Sequence, residues 1–304
     1  MNQFSVTILG SSSAIPTSTR FPSSQIVSHK YKPFLVDCGE GTQIQLRKSQ
    51  IRFSRIDHIF ISHLHGDHFF GLIGLISSFN LLGRKTELHL FAPKEIRQII
   101  ELQLEISQSK LNFEIRYYVL TFDSLSLLYE NEQLEIYSFP LKHSILTCGF
   151  LFKEKPYPLK IRKEALLKYD IPDDAFNAIK CGSDFVNAQG EIIKNSILTS
   201  PGQVAKSYAY CSDTAFSFDT IQYIAGVDLL YHETSFMENR RGIAEAKMHS
   251  TTVDAAKTAN LAAAKKLIIG HFSARYKELD ELLAETQKDF ENTLLASEGL
   301  VVNV

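Results

Sequence analysis

Three histidines and an aspartate stand within the seven residues Ser62-His63-Leu64-His65-Gly66-Asp67-His68, directly after the apolar run from Ile56 to Ile61. At the end of an extended strand His63 and His65 point the same way, because side chains alternate with a period of two. Past the turn that Gly66 permits, Asp67 and His68 can aim at a second point close by. Donors packed this tightly would repel or titrate without a cation among them, so the stretch reads as a metal centre with two foci. Any fold for this chain must therefore deliver a buried strand end into a polar cleft.

The rest of the sequence supplies such strands. In the first half, short apolar runs bounded by turn signals predict strands at Phe4 to Leu9, Phe34 to Asp37, Ile56 to His63, Leu88 to Phe91, Phe113 to Leu120 and Leu134 to Phe139. Helices are predicted over Gly41 to Lys48, Phe69 to Leu82 and Lys94 to Ser107. The second of these is apolar nearly all round, which implies burial in the core or against a partner subunit. In the second half strands are predicted at Tyr208 to Cys211, Val227 to Tyr231, Lys266 to Ile269 and Leu300 to Val304. Helices are predicted from Thr251 to Ala264, opened by a Thr251/Asp254 capping box, and from Glu278 to Leu295. With 304 residues and 44% hydrophobic content, a single α/β domain over 1–304 can bury a large core. Residues 153–199 break the pattern with prolines and charge and read as an insertion.

Three further ligand-type residues each follow a predicted strand: His143, Asp213 and His271. All could converge at one sheet edge. His249 stands just ahead of the capped helix, and Glu233, again after a strand, is its candidate carboxylate partner. His29, His58 and His89 lie in or beside apolar patterns without partners and read as ordinary core or surface residues.

Charge narrows the function further. With 32 Lys+Arg against 34 Asp+Glu the formal net charge is −2, so a polyanion would have to be met by a local patch. One candidate lies in the insertion, where Lys153, Lys155, Lys160, Arg162, Lys163 and Lys168 outnumber Glu154 and Glu164. No apolar run approaches the ~18 residues of a membrane span, and the start of the chain has no basic leader. The 4 cysteines form no CxxC pair, and a cytoplasmic setting fits them.

His63-Leu-His65-Gly-Asp67-His68 resembles the signature of the metallo-β-lactamase superfamily, whose fold is a four-layer αββα sandwich with metals at one edge of two sheets. Several longer matches resemble the ribonuclease Z family of tRNA 3′-processing endonucleases. They are Val36-Asp37-Cys38-Gly39-Glu40-Gly41-Thr42-Gln43, Cys211-Ser212-Asp213-Thr214, His232-Glu233-Thr234-Ser235, His249-Ser250-Thr251 and Gly270-His271-Phe272-Ser273-Ala274-Arg275-Tyr276. The resemblance implies two Zn²⁺ per subunit, one on His63, His65 and His143, the other on Asp67, His68 and His271, with Asp213 bridging. The donors, all nitrogen or oxygen, suit Zn²⁺ and do not exclude Mn²⁺ or Fe. It further implies that Asp67 orients the attacking hydroxide, that His249 held by Glu233 protonates the leaving oxygen, and that the insertion is a flexible arm gripping precursor tRNA. Members form homodimers. Two departures stand out: Ile171-Pro172-Asp173-Asp174-Ala175 replaces the glycine-proline-rich core of that arm, and Ser18 and Phe21 depart from the family's Pro-x-Lys-x-Arg-Asn loop.

Two other functions compete with tRNA 3′-trailer removal. A dinuclear hydrolase of small phosphodiesters or sulfate esters would keep the metals but have no use for a basic arm. A non-catalytic, metal-stabilised RNA-binding protein would need neither an open metal position nor a His249/Glu233 pair.

Overall fold

Period-two alternation in the apolar runs builds two sheets of seven strands each. The structure is a computed structural model describing residues 4–304; the first three residues, where no leader is expected, lie outside the described residues. The first sheet runs, edge to edge, through Val301–Asn303, Phe4–Gly10, Ser24–His29, Lys32–Cys38, His58–Phe60, Leu88–Ala92 and Ile115–Val119. The second runs through Thr293–Leu295, Leu267–Gly270, Leu229–Glu233, Ser207–Cys211, Thr147–Glu154, Leu134–Leu141 and Ser126–Glu130. In each sheet four consecutive strands are parallel.

Alternation assigns the faces. Phe34, Val36, Phe60 and Phe91 turn inward to a core shared with Phe150, Phe152 and Tyr210 of the opposite sheet. The rings of Phe60 and Phe91 stack at 4.6 Å, and Phe60 meets Phe150 edge-on at 5.5 Å. Their neighbours Leu35, Ile59, Ile61 and Leu90 turn outward, under Leu72, Leu75, Ile76 and Phe79 of the helix Leu72–Leu81. Behind the second sheet lies the helix Thr252–Leu261, whose Thr251 side chain and Asp254 form the expected capping box. Helix, sheet, sheet, helix: this is the expected αββα sandwich.

Two predicted elements differ in detail, and three strands are additional. The stretch 69–82 is two helices, Gly66–Phe69 and Leu72–Leu81, because the Gly71 N–H donates to the Cys38 carbonyl at 2.9 Å instead of to its own helix, an approach with no room for a Cβ at that position. The predicted helix 278–295 stops at Gln287, and Thr293–Leu295 forms a strand instead, since Leu294 and Leu295 pair in parallel with Ile268 and Ile269. Strands at Ser24–His29, Ser126–Glu130 and Thr147–Glu154 were not predicted.

The insertion expected over 153–199 begins after the strand Thr147–Glu154, so Lys153 belongs to the second sheet, opposite Glu135 and Ser207. Beyond it, Lys160–Ile161 pairs with Thr199–Ser200, and the intervening chain closes on a small core of its own: Ala165, Ile171, Ile179, Ile193 and Leu198. Both legs of the insertion are fastened at its base. The Tyr157 hydroxyl and the Lys206 N–H donate to the buried Glu154 carboxylate at 2.6 and 2.9 Å.

Candidate metal centre

Parallel strands end at one edge, and their registers decide which residues meet there. Val36 lies beside Phe60 in the first sheet; in the second, Cys211 lies beside His232, and Glu233 beside Gly270. The residues just past those positions are thus Asp37 and His63 from one sheet, Asp213, Glu233 and His271 from the other. This is the carboxyl-end location where ligands gather on parallel sheets. His143, two residues beyond the strand Leu134–Leu141, joins them.

Seven side chains converge in two groups. In the first, His63 Nε2 and His65 Nδ1 are 3.1 Å apart, and His143 Nε2 is 3.3 Å from His65 Nδ1. In the second, His271 Nε2 lies 3.3 Å from both His68 Nε2 and Asp67 Oδ2. Asp213 joins the two: its Oδ2 is 3.6 and 3.7 Å from His63 and His143, while its Oδ1 is 3.2 and 3.1 Å from His68 and His271. A tetrahedron with ligand distances of about 2.1 Å has edges of about 3.4 Å, so these separations match those of ligands around a shared cation. Buried Asp213 Oδ1 also lacks any hydrogen-bond donor, a cost that a cation would remove. Nitrogen and oxygen donors only, in this spacing, fit divalent metal.

The outer nitrogens are fixed by a second layer. His68 Nδ1 donates to Asp37 Oδ2 at 2.7 Å, and His143 Nδ1 to the Met248 carbonyl at 2.9 Å. His271 Nδ1 is 2.9 Å from Ser235 Oγ, and His63 Nδ1 is 3.0 Å from Ser62 Oγ. Each contact turns Nε2 toward the cluster, as outer-layer partners of metal-binding histidines do. Burial lowers the pKa of His63, His65 and His143, leaving their lone pairs free for a cation. At His68 burial also opposes charge, but Asp213, Asp67 and Asp37 outweigh it and raise the pKa well above the ordinary value.

Asp37 carries more of this layer than any residue singled out by spacing. It is fully buried at a left-handed φ of 54° and also accepts from the Ser62 N–H at 2.8 Å and the Tyr210 hydroxyl at 2.7 Å. In sequence it is an acidic residue ending an otherwise apolar strand and a member of the family-like stretch Val36 to Gln43, neither of which reveals its partners. Ser235 belongs to the family-like stretch His232 to Ser235 without a role of its own there, and Tyr210 is one more apolar strand residue in sequence.

The expected pair is also in place. His249 Nδ1 lies 2.8 Å from Glu233 Oε1, and the buried Glu233 further accepts from the N–H groups of Ser250 and Ser235 at 3.0 and 2.9 Å. Burial works against a charge on His249, yet the Glu233 carboxylate holds its pKa up at about 9. His249 lines a cleft of about 410 Å³ together with His65, Asp67, Asp213 and His271.

The six basic residues do not line this cleft. Lys155 pairs with Glu130, and Arg162 Nε donates to the Thr199 carbonyl at 2.7 Å; Lys153, Lys160, Lys163 and Lys168 are exposed. The other histidines stay outside the site too: His29 meets Glu154 at 3.0 Å, and the rings of His58 and His89 stack at 4.6 Å.

Comparison with known proteins bears on this arrangement. A family model described as Anti-Pycsar protein Apyc1 matches residues 4–171, a span that contains His63, His65, Asp67, His68 and His143 but stops short of Asp213, Glu233, His249 and His271. Over all 304 residues the chain is 47% identical to the protein named ribonuclease Z from Parabacteroides distasonis and 44% identical to that from Bacteroides fragilis, covering 100% of both. Among solved structures, the human tRNase Z short form superimposes with a TM-score of 0.72 at 27% identity, with 99% of each chain covered.

Proposed function

The chain belongs to the ribonuclease Z family, and from that premise we propose how its own residues cut precursor tRNA. It is a metal-dependent endoribonuclease that removes the 3′ trailer, leaving a 3′-hydroxyl on the tRNA and a 5′-phosphate on the trailer. The observation that carries the residue-level reading is Asp213, whose two oxygens face two different sets of imidazole nitrogens.

Two Zn²⁺ per subunit are the cofactor we propose: His63, His65 and His143 would hold one, Asp67, His68 and His271 the other, with Asp213 within reach of both sets. Bound there, such cations supply an acidified water and neutralise charge on phosphoryl oxygens. The protein contributes orientation and a proton. The Ala14 N–H donates to Asp67 Oδ2 at 2.7 Å and fixes the carboxylate, which orients the attacking water. His249, charged beside Glu233, gives its proton to the 3′ oxygen as the P–O3′ bond breaks. The insertion grips the tRNA body through Lys160, Arg162, Lys163 and Lys168, with Lys153 and Lys155 at its base. Phosphate contacts of this kind give affinity without sequence readout. Leu81 and Leu82, exposed at the end of the helix Leu72–Leu81, favour a homodimer contact there. Among the described residues no helix is long and apolar enough to cross a membrane, and we place the enzyme in the cytoplasm.

End-labelled precursor tRNA and a chromogenic small phosphodiester, each with and without chelator, test the reading. Chelator is expected to stop both reactions, and the uninhibited tRNA product to end in a 3′-hydroxyl. Replacing Lys160, Arg162, Lys163 and Lys168 with Ala is expected to weaken precursor binding and to flatten its log affinity against log salt by up to about 0.9 per lost contact. Small-ester hydrolysis is expected to survive, because the insertion closes on a core separate from the sheets. Unchanged precursor affinity and salt slope would remove the insertion from RNA binding and favour the small-ester enzyme.

A further inference from the structure

A second cavity, of about 560 Å³, is lined by His249 but by none of the seven proposed metal ligands and has no part in the chemistry described so far. The loops that carry proposed site residues also build it. Lys142 precedes His143, Phe216 follows Asp213 by three residues, and Lys257 lies on the helix Thr252–Leu261 that begins just after His249. The first two loops are tied together, since the Ala215 N–H donates to the Lys142 carbonyl at 2.8 Å and the Lys142 N–H to Thr214 Oγ1 at 3.1 Å.

Its chemistry is that of a nucleotide seat. Phe216 is half-buried and braced edge-on by Phe218 at 5.0 Å, with Lys257 Nζ 4.2 Å from its ring centre. Among the described residues neither Lys142 nor Lys257 has a carboxylate partner, whereas the carboxylates that line the cavity, Glu245 and Asp254, already face Arg241 at 3.7 and 3.0 Å. Lys257 lies over one face of the Phe216 ring, so a base would take the other; an aromatic ring with two ammonium groups free of carboxylate partners is how single-stranded RNA is held, the base by stacking and the backbone by charge. The volume is in the range that accommodates one small ligand.

The direction of the chain follows from His249, which lines both cavities. When the P–O3′ bond breaks, the electron pair stays on the 3′ oxygen, and the group that protonates it must lie beside the nucleoside bearing that oxygen. We propose that this second cavity seats the last nucleotide retained on the tRNA, with its base on Phe216 and its 5′-side phosphate between Lys142 and Lys257. The trailer then leaves along the opposite wall, past Pro22, Glu40 and Phe70. This rests on His249 being the donor.

Precursor tRNAs carrying an abasic site either at the last retained nucleotide or at the first trailer nucleotide, cut by wild type and by Phe216→Ala, test the assignment. Removing the retained base is expected to lower kcat/KM of the wild type by roughly 5- to 150-fold, the range for one base stacked on one aromatic ring. Phe216→Ala is expected to lower it by a similar factor on the intact precursor, and the two changes together by no more than either alone. Removal of the first trailer base is expected to multiply with Phe216→Ala. The reverse pattern, or full activity of Phe216→Ala, overturns the proposal. Should Phe216→Ala fold poorly, Lys257→Gln on the exposed helix face reads the same seat. Inhibition by tRNA lacking a trailer is expected to weaken and that by a 5′-phosphorylated trailer oligonucleotide to stay; the opposite result overturns the seat. If His249→Ala cleaves at the wild-type rate, the donor reading fails by itself, and the abasic pairing still identifies which nucleotide lies on Phe216.

Discussion

Asp213→Ala is expected to bring precursor cleavage down by at least about 10³-fold and to lower the metal bound per chain. Loss of a single preorganised electrostatic contact already costs about 10²–10³ in rate. This residue serves both groups, with Oδ2 toward His63 and His143 and Oδ1 toward His68 and His271. Without it, two cations would face each other with no intervening charge to offset their repulsion. Elemental analysis beside a cleavage assay checks both halves. A variant with full activity and two metals per chain would refute the bridging role.

His249→Ala separates proton donation from metal binding. The rate is expected to fall by about 10²–10⁴-fold, the usual worth of a general acid, while bound metal stays at the wild-type level. Metal should be kept because His249 faces Glu233 at 2.8 Å, and Glu233 remains held by the N–H groups of Thr214, Ser235 and Ser250. Loss of metal from this variant would instead make His249 a ligand, a role for which its closeness to Asp213 and His271 leaves room.

The part of the site that is legible in sequence is the part whose donors are neighbours in sequence. His63, His65, Asp67 and His68 lie within six residues, so the loop that follows the strand His58–Phe60 and the short helix Gly66–Phe69 keep them together whatever the rest of the chain does. His143, Asp213 and His271 are legible only as strand-end positions. What brings them together is the order of strands in the second sheet, a long-range property that local periodicity does not encode. Their assignment to particular metals came from family resemblance. Asp37 lies in a family-like stretch, yet its role is not legible there because its partners, Ser62, His68 and Tyr210, are 25, 31 and 173 residues away. The overextended helix at 278–295 has a related cause: Leu294 and Leu295 continue a helical pattern, yet they lie on a strand paired with Ile268 and Ile269. The insertion's core escaped notice because its five buried residues are scattered from Ala165 to Leu198 without a period.

Each proposed ion draws ligands from both halves of the sandwich. His63 and His65 extend from the first sheet and His143 from the second; Asp67 and His68 extend from the first and His271 from the second. Each ion is therefore also a rivet, closing the same seam between sheets that the aromatic core closes further in. Because the unfolded chain has no such preformed grip, occupancy and folding are linked, and ligand at a thousand times its Kd adds about 4 kcal/mol to stability. The melting temperature should climb with added metal and drop on chelation. Amide exchange should quicken first along residues 61–71 and 211–214, where the seam would begin to part, before it reaches the stacked rings of Phe60 and Phe91. The ions that make this enzyme a nuclease would then also set the temperature at which it stops being a folded one.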